Sequence, residues 1–214
     1  MDEEISIIDS QTRNEKIKKF LAENKKIFLI TISILLSVIL TIYSYQIYND
    51  RDRELLSNKY NSAIIEHKNG NNSKTIYSLR EVIESTDSTY SPLALYFIID
   101  NNLIKNQIEV NNLFDTIINK TPLEDEIKNL IIYKKGLYNA DFVNENELLK
   151  ILSPLINSKS VWKSHALYLA AEFFYSKNEK QKSIDFFNQI LNTENANQDI
   201  IQEAKKRLNR DLSE

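Results

Sequence analysis

The hydrophobic pattern of this chain changes once, from a single uncharged run to a long succession of amphipathic stretches. The run is Ile27 to Tyr48, IFLITISILLSVILTIYSYQIY. Its 22 residues would span about 33 Å as a helix at about 1.5 Å per residue, enough to cross a hydrocarbon core about 30 Å thick. The run is longer than the apolar stretch of a signal peptide, about 7–15 residues. No small-x-small cleavage site follows it, since the exit reads Tyr43-Ser44-Tyr45-Gln46-Ile47-Tyr48. The expectation is an uncleaved membrane anchor, with Tyr43, Tyr45 and Tyr48 as an interfacial aromatic belt. Inside it Ser33, Ser37 and Thr41 recur every four residues and Ser44 follows, all on one helical face. Such a stripe can pack against a second membrane helix; it also suits hydroxyls that bond their own backbone carbonyls, and the second reading outweighs the first.

After the anchor the period is helical throughout. Apolar spacing predicts helices at about residues 50–68, 73–85, 91–105, 108–119, 123–139, 145–157, 160–177, 180–192 and 197–211. Breakers separate them: Asn69-Gly70-Asn71-Asn72, Thr86-Asp87-Ser88, Lys120-Thr121-Pro122 and Thr193-Glu194-Asn195-Ala196. Thr121, with Pro122 next and Glu124 third after it, reads as the cap of a helix start. No stretch alternates convincingly over the length of a strand. Residues 2–26 are polar, with one short stripe of Ile17, Phe20 and Leu21 that predicts a helix leading into the anchor.

The helices pair, and the pairs repeat. Ala94-Leu95-Tyr96-Phe97 matches Ala166-Leu167-Tyr168-Leu169, and Lys105-Asn106 matches Lys177-Asn178 at the same offset of 72 residues. Phe114, Ile117 and Ile118 recur as Phe187, Ile190 and Leu191, and more loosely as Leu79, Val82, Ile83 and as Leu152, Leu155, Ile156. Leu79, Phe114, Leu152 and Phe187 therefore stand 35, 38 and 35 residues apart. Four helix-turn-helix units fit, with a period near the 34 of the tetratricopeptide repeat. The last unit keeps small residues at Ala170 and Ala171, together with Phe174, Ser183 and Phe187; Gly136 is small in the third unit but does not align with them. The final helix has Ile200, Ile201, Ala204 and Leu208 on one side and Gln202, Lys205, Lys206 and Arg210 on the other, as a terminal cap requires. The expectation is an all-α chain: one N-terminal transmembrane helix, then a right-handed tetratricopeptide-repeat-like solenoid of about four hairpins and a capping helix. Its parts are residues 1–26, the membrane helix 27–48 and the solenoid 49–214.

Charge sets the orientation. Residues 13–26 carry six bases, Arg13, Lys16, Lys18, Lys19, Lys25 and Lys26; residues 49–62 carry three, Arg51, Arg53 and Lys59. By the positive-inside rule the N-terminus stays in the cytoplasm and the domain lies across the membrane. Net charge is −3 with the signs interspersed, which argues against a nucleic-acid partner. Cysteine is absent, so a disulfide, a thiolate zinc site, a catalytic thiol and a lipidated cysteine anchor are excluded. With two glycines there is no glycine-rich phosphate loop. The abundance of asparagine, lysine and isoleucine reads as compositional bias without structural meaning.

Candidate chemistry is sparse. His67 and His165 are the only histidines; both read as ordinary surface or cap residues, His67 solvated, with no paired spacing between them. Asp50-Arg51-Asp52-Arg53-Glu54 reads as a solvated juxtamembrane helix. Glu124, Asp125 and Glu126 follow Pro122 at a helix start, where acids favour the macrodipole. Trp162 suits a core or stacking position better than a partner anchor. Asn71-Asn72-Ser73 and Asn119-Lys120-Thr121 match a glycosylation pattern relevant only in a eukaryotic host. The expectation is no enzyme, no cofactor, no metal and no small-molecule substrate. A concave surface made by first helices suits peptides and helices, with Tyr96, Phe97, Tyr133 and Tyr168 as contact candidates that also suit the core, the stronger reading for each.

A short acidic start, Asp2-Glu3-Glu4, leads to Ile8-Asp9 and Arg13-Asn14-Glu15-Lys16-Ile17-Lys18-Lys19-Phe20, then one membrane helix and degenerate hairpins. In layout this resembles the YfgM-like family of bacterial inner-membrane tetratricopeptide-repeat proteins. The resemblance implies a periplasmic domain beside the Sec translocon, with a membrane-anchored, prolyl-isomerase-like periplasmic chaperone as partner. The alternative is a repeat scaffold for cell-envelope assembly or cell division.

Overall fold

The computed structural model describes residues 19–20 and 23–211. Among them every regular element is a helix and no strand occurs. The described helices are α1 (Lys25–Lys68), α2 (Asn72–Glu84), α3 (Tyr90–Asp100), α4 (Gln107–Lys120), α5 (Asp125–Asn139), α6 (Glu145–Ile156), α7 (Lys163–Ser176), α8 (Lys180–Leu191) and α9 (Gln198–Asp211). The chain divides into two compact units, Met1–Leu55 and Leu56–Glu214. The acidic start at Asp2-Glu3-Glu4 and the Ile17 and Leu21 of the expected leading stripe lie outside the described residues.

In the first unit, Lys25–Ser44 is long and apolar enough to cross a membrane, with mean hydropathy 2.5. Its large side chains, among them Ile34, Leu35 and Leu40, are exposed, as is Tyr43. The helix does not stop where the apolar run stops. The sequence pattern separates an anchor ending at Tyr48 from a helix starting near residue 50, whereas α1 is one helix to Lys68. No glycine or proline falls within residues 25–68, so nothing in the backbone chemistry ends it.

What ends α1 is Gly70, at φ 81°. Gly70 N–H donates to the His67 carbonyl and Asn71 N–H to that of Glu66, both at 2.9 Å, the paired bonds of a Schellman motif. Asparagine does the same elsewhere. Asn102 (φ 50°) donates to Ile99 while Leu103 donates to Ile98; Asn178 (φ 61°) donates to Tyr175 while Glu179 donates to Phe174. Asparagine also opens helices. Asn106 accepts from Ile108 and Glu109, Asn144 from Glu147, and Asn197 from Asp199 and Ile200. The asparagine richness that reads as bias thus includes caps at both ends of helices, because its short amide tolerates left-handed φ and bonds nearby backbone. Asn102 also shortens one predicted element, since the helix expected to run to residue 105 stops at Asp100. The helix expected from 160 starts at Lys163, with Trp162 as its N-cap and no side-chain cap bond. Thr121 closes a helix rather than opening one. The following Pro122 holds it extended (ψ 133°), and α5 begins at Asp125 with Glu124 at its N-cap.

Asn195 (φ 58°) takes the same left-handed conformation in the loop after α8, and Thr86 puts a β-branched side chain into it, at φ 55° after α2. That conformation costs an L-residue roughly 1–2 kcal/mol. Replacing Thr86 with glycine is expected to stabilise the second unit by about 1 kcal/mol in denaturant titrations. A loss of stability would show that the hydroxyl or methyl contributes more than the strain costs.

In the second unit, helices pack against neighbours in sequence. Every pair in substantial contact among the described residues is consecutive or next but one: α2 meets α4, α5 meets α7 and α7 meets α9. The core is correspondingly a series. One cluster is built from Ala63 to Ile131, around Leu79, Ile83, Leu95 and Phe114. The next runs from Ile132 to Phe174 around Leu148 and Leu152, and the last from Leu167 to Ala204 around Phe187 and Ile190. Ile118 touches the first two, and Ile156 and Phe186 touch the last two. Of the recurring residues of the second helices, Leu79, Val82 and Ile83, Phe114 and Ile117, Leu152 and Leu155, Phe187 and Ile190 are fully buried, while Ile118, Ile156 and Leu191 are partly buried. Gly136, on α5, lies where α6 and α7 approach; a Cβ there would meet Leu152 Cδ2 at 2.5 Å. On α9, Ala204 is buried while Gln202, Lys205, Lys206 and Arg210 are exposed.

Candidate interaction surface

The first helices α3, α5 and α7 carry the four aromatic contact candidates, and the structure brings each into a joint between helices rather than into one site. Tyr96 on α3 is half-buried, and burial pushes its phenol up to about 12. Lys134 of α5 sits over the ring at 4.4 Å from the centroid, a cation–π contact. Phe97 turns to α1, edge-on to His67 at 5.3 Å and to Tyr60 at 6.5 Å. Tyr133 on α5 stacks on Trp162 at 5.7 Å, just ahead of α7, and meets His165 at 5.8 Å. Tyr168 on α7 packs edge-on to Phe187 of α8 at 5.5 Å. All four remain half-exposed, so each could present one face to a partner while the other fixes the stack.

Several polar joints recur at intervals near that of the apolar repeat, and sequence reading missed them. Glu172 of α7 and Arg207 of α9 form two bonds of 2.6 and 2.8 Å, with Arg207 over the Tyr175 ring. Lys182 of α8 reaches Glu145 of α6 at 2.8 Å. Ser160 donates to Glu126 at 2.7 Å, and Arg80 of α2 pairs with Glu109 of α4. Asn139, buried at the end of α5, exchanges two 2.8 Å bonds with Asn111 of α4 and accepts from Gln107 at 3.0 Å. These partners lie 28 to 37 residues apart. The only signal that could have revealed them is that interval, which the apolar repeat already carried.

Neither histidine is a plain surface group. His67 Nδ1 lies 3.0 Å from Asn72 Oδ1, and its ring touches Phe97. His165 is wedged between Trp162 (5.0 Å) and Tyr133, with its Nδ1 buried and without a hydrogen bond. Burial pushes this imidazole down, opposed in part by the Val161 carbonyl. Its folded-state value is therefore below its unfolded value of 6.5, so the unfolded chain takes up the proton first. Stability is expected to be full above pH 6.5 and to fall as the pH drops from there. His165→Gln should flatten that limb of the melting temperature against pH; an unchanged slope would remove His165 as its source.

In the first unit the Ser37 hydroxyl donates to the Ser33 carbonyl at 2.9 Å and Thr41 to that of Ser37 at 2.8 Å. These hydroxyls are satisfied within their own helix. Glu124 is the N-cap of α5, without a side-chain cap bond, and Asp125 and Glu126 lie in its first turn, where negative charge is favourable to the helix dipole. Among the described residues no cluster of three or more His, Asp or Glu side chains is arranged to hold a metal ion. The cavities of the second unit include one of about 430 Å³ between α4, α5 and α6, and one of about 510 Å³ between the loops before α7 and after α8. No protein-family model, no curated protein and no solved structure matches this chain.

Proposed function

We propose that this chain is a membrane-anchored, non-enzymatic protein-interaction module built as a tetratricopeptide-repeat-like solenoid. The observation that carries the reading is the serial packing: among the described residues the helices in substantial contact are consecutive or next but one, and several polar partners lie 28 to 37 residues apart. Stacked hairpins of this kind offer extended surfaces for peptides and helices. The first-helix joints at Tyr96, Phe97, Tyr133 and Tyr168 are the surface in question. By its likeness in layout to the YfgM-like family, the module sits at the bacterial inner membrane. Its N-terminus is cytoplasmic and its domain periplasmic, and it links proteins leaving the Sec translocon to a membrane-anchored chaperone.

Two measurements test this. Alkaline phosphatase fused after Glu214 is expected to be active; an inactive fusion, with a fluorescent cytoplasmic equivalent, reverses the topology. Photocrosslinking from Tyr96 and Tyr168 in intact membranes is expected to capture translocon and chaperone subunits. Capture of envelope-synthesis or division proteins instead would favour the scaffold alternative.

A further inference from the structure

The link from α1 to α2 holds the one Asn-Gly pair of the sequence, Asn69-Gly70; the other glycine, Gly136, follows a lysine. Asn69 differs from the asparagines beside it. It is exposed, and among the described residues its side-chain amide has no hydrogen-bond partner. Asn71 Nδ2, by contrast, donates to Glu66 at 2.6 Å, and Asn72 Oδ1 lies 3.0 Å from His67 Nδ1. The residue after Asn69 has no side chain, and a Cβ built there would meet nothing within 4 Å, so no side chain crowds the Gly70 backbone nitrogen. That nitrogen is tied by the cap alone, through its 2.9 Å bond to the His67 carbonyl. A helix end opens far more readily than a core.

We propose that Asn69 is a site of self-modification, where the chain converts its own amide to an acid. When the cap opens, the Gly70 nitrogen gives its proton to the solvent and bonds to the carbonyl carbon of the Asn69 side chain. The bond from that carbon to the amide nitrogen breaks, and this nitrogen takes up a proton and leaves as ammonia. A cyclic imide remains. Water adds to either of its two carbonyls and reopens the ring, giving aspartate or isoaspartate. In sum one water is consumed and one ammonia released, with nothing oxidised or reduced. Either product acts on the cap. A carboxylate here stands at the negative end of the α1 dipole, where it is unfavourable. The isoaspartate also inserts a main-chain carbon ahead of Gly70, which displaces the paired bonds that Gly70 and Asn71 make to α1. The reaction is thus a clock set at the end of α1.

The test is peptide mapping by mass spectrometry of the purified full chain in detergent, aged at neutral and at mildly alkaline pH beside a free peptide of residues 66–74. Cleavage after Lys68 and Lys74 under mildly acidic conditions puts Asn69, Asn71 and Asn72 in one fragment, so the three are compared directly. The mass gain of amide to acid is expected at Asn69 and not at the other two. It should run roughly tenfold slower than in the peptide, because the cap bonds must open first. It should be faster at the alkaline pH, because the attacking nitrogen must lose its proton. Asn69→Gln should abolish it. Gly70→Asn should remove most of it while keeping the cap, since asparagine holds the same conformation at Asn102 and Asn178; circular dichroism checks that both variants stay folded. The aged chain should lose hydrogen-exchange protection at Gly70 and Asn71. The proposal is overturned by a gain at Asn71 or Asn72 as fast as at Asn69, by a gain that Gly70→Asn leaves unchanged, or by protection that ageing leaves intact. A rate at Asn69 more than about a thousandfold below the peptide's also overturns it, since unfolding of the whole second unit would then be required.

Discussion

Truncating Phe114 to alanine will destabilise the second unit by about 3–5 kcal/mol. The side chain is fully buried in the first cluster, where α2, α4 and α5 converge. It stands at the position that Leu79, Leu152 and Phe187 occupy in the other second helices. A stability of about 5–15 kcal/mol is usual for a domain, so this one change removes a large share. The chain's single tryptophan makes the outcome more informative. Trp162 reports on the second cluster through its stack on Tyr133, while circular dichroism reports on all helices. In a serially packed core the damage is local, so the dichroism transition in denaturant should move further than the fluorescence transition. A loss below about 1 kcal/mol would mean that the cluster is not packed as described.

Gly136→Val is the second large effect, with an expected cost of about 2–3 kcal/mol. A Cβ at this position already meets Leu152 Cδ2 at 2.5 Å and Cγ at 3.3 Å, with Leu169 Cδ2 at 3.5 Å. Leu152 is fully buried, so moving it aside disturbs its packed neighbours. Valine adds two methyl groups at the same joint. At 2–4 °C per kcal/mol for a unit of this size, the melting temperature should drop by about 4–12 °C. Gly136→Ala should be much milder, because alanine gains about 1 kcal/mol of helix propensity against the displacement of Leu152. Adding Leu152→Ala to Gly136→Val makes room, so the double variant should be less damaged than the sum of the single changes. Strict additivity would place the strain somewhere else.

The helices of the second unit were legible because their apolar period is strong, and the buried Leu79, Phe114, Leu152 and Phe187 are the residues that carry it. The ends were less legible. Asn101-Asn102 and Lys177-Asn178 follow apolar turns without a glycine or proline, so the stop depends on asparagine adopting positive φ, which periodicity does not encode. Pro122 was read as a start signal for its neighbour Thr121, yet its ring acts first on the residue before it. The continuity of α1 was hidden by a change in hydropathy that carries no backbone break. As for the surface, Tyr96, Phe97, Tyr133 and Tyr168 could be placed on first helices. What each touches could not, because Lys134, His67, Trp162 and Phe187 come from elements whose register only packing sets.

The short interval between partners has a bearing on how the molecule is made. Among the hydrogen bonds of the second unit, the Lys182–Glu145 pair reaches 37 residues along the chain. At a synthesis rate of about 5–20 residues per second, a segment waits roughly 2–7 s for the partner that covers it. Each hairpin can therefore settle on the one made before it, and apolar surface such as Phe114 or Leu152 is never left uncovered until the C-terminus arrives. Low contact order of this kind favours fast, sequential folding and limits the exposure that leads to aggregation. A chain ordered this way can assemble from its first residue to its last while still emerging.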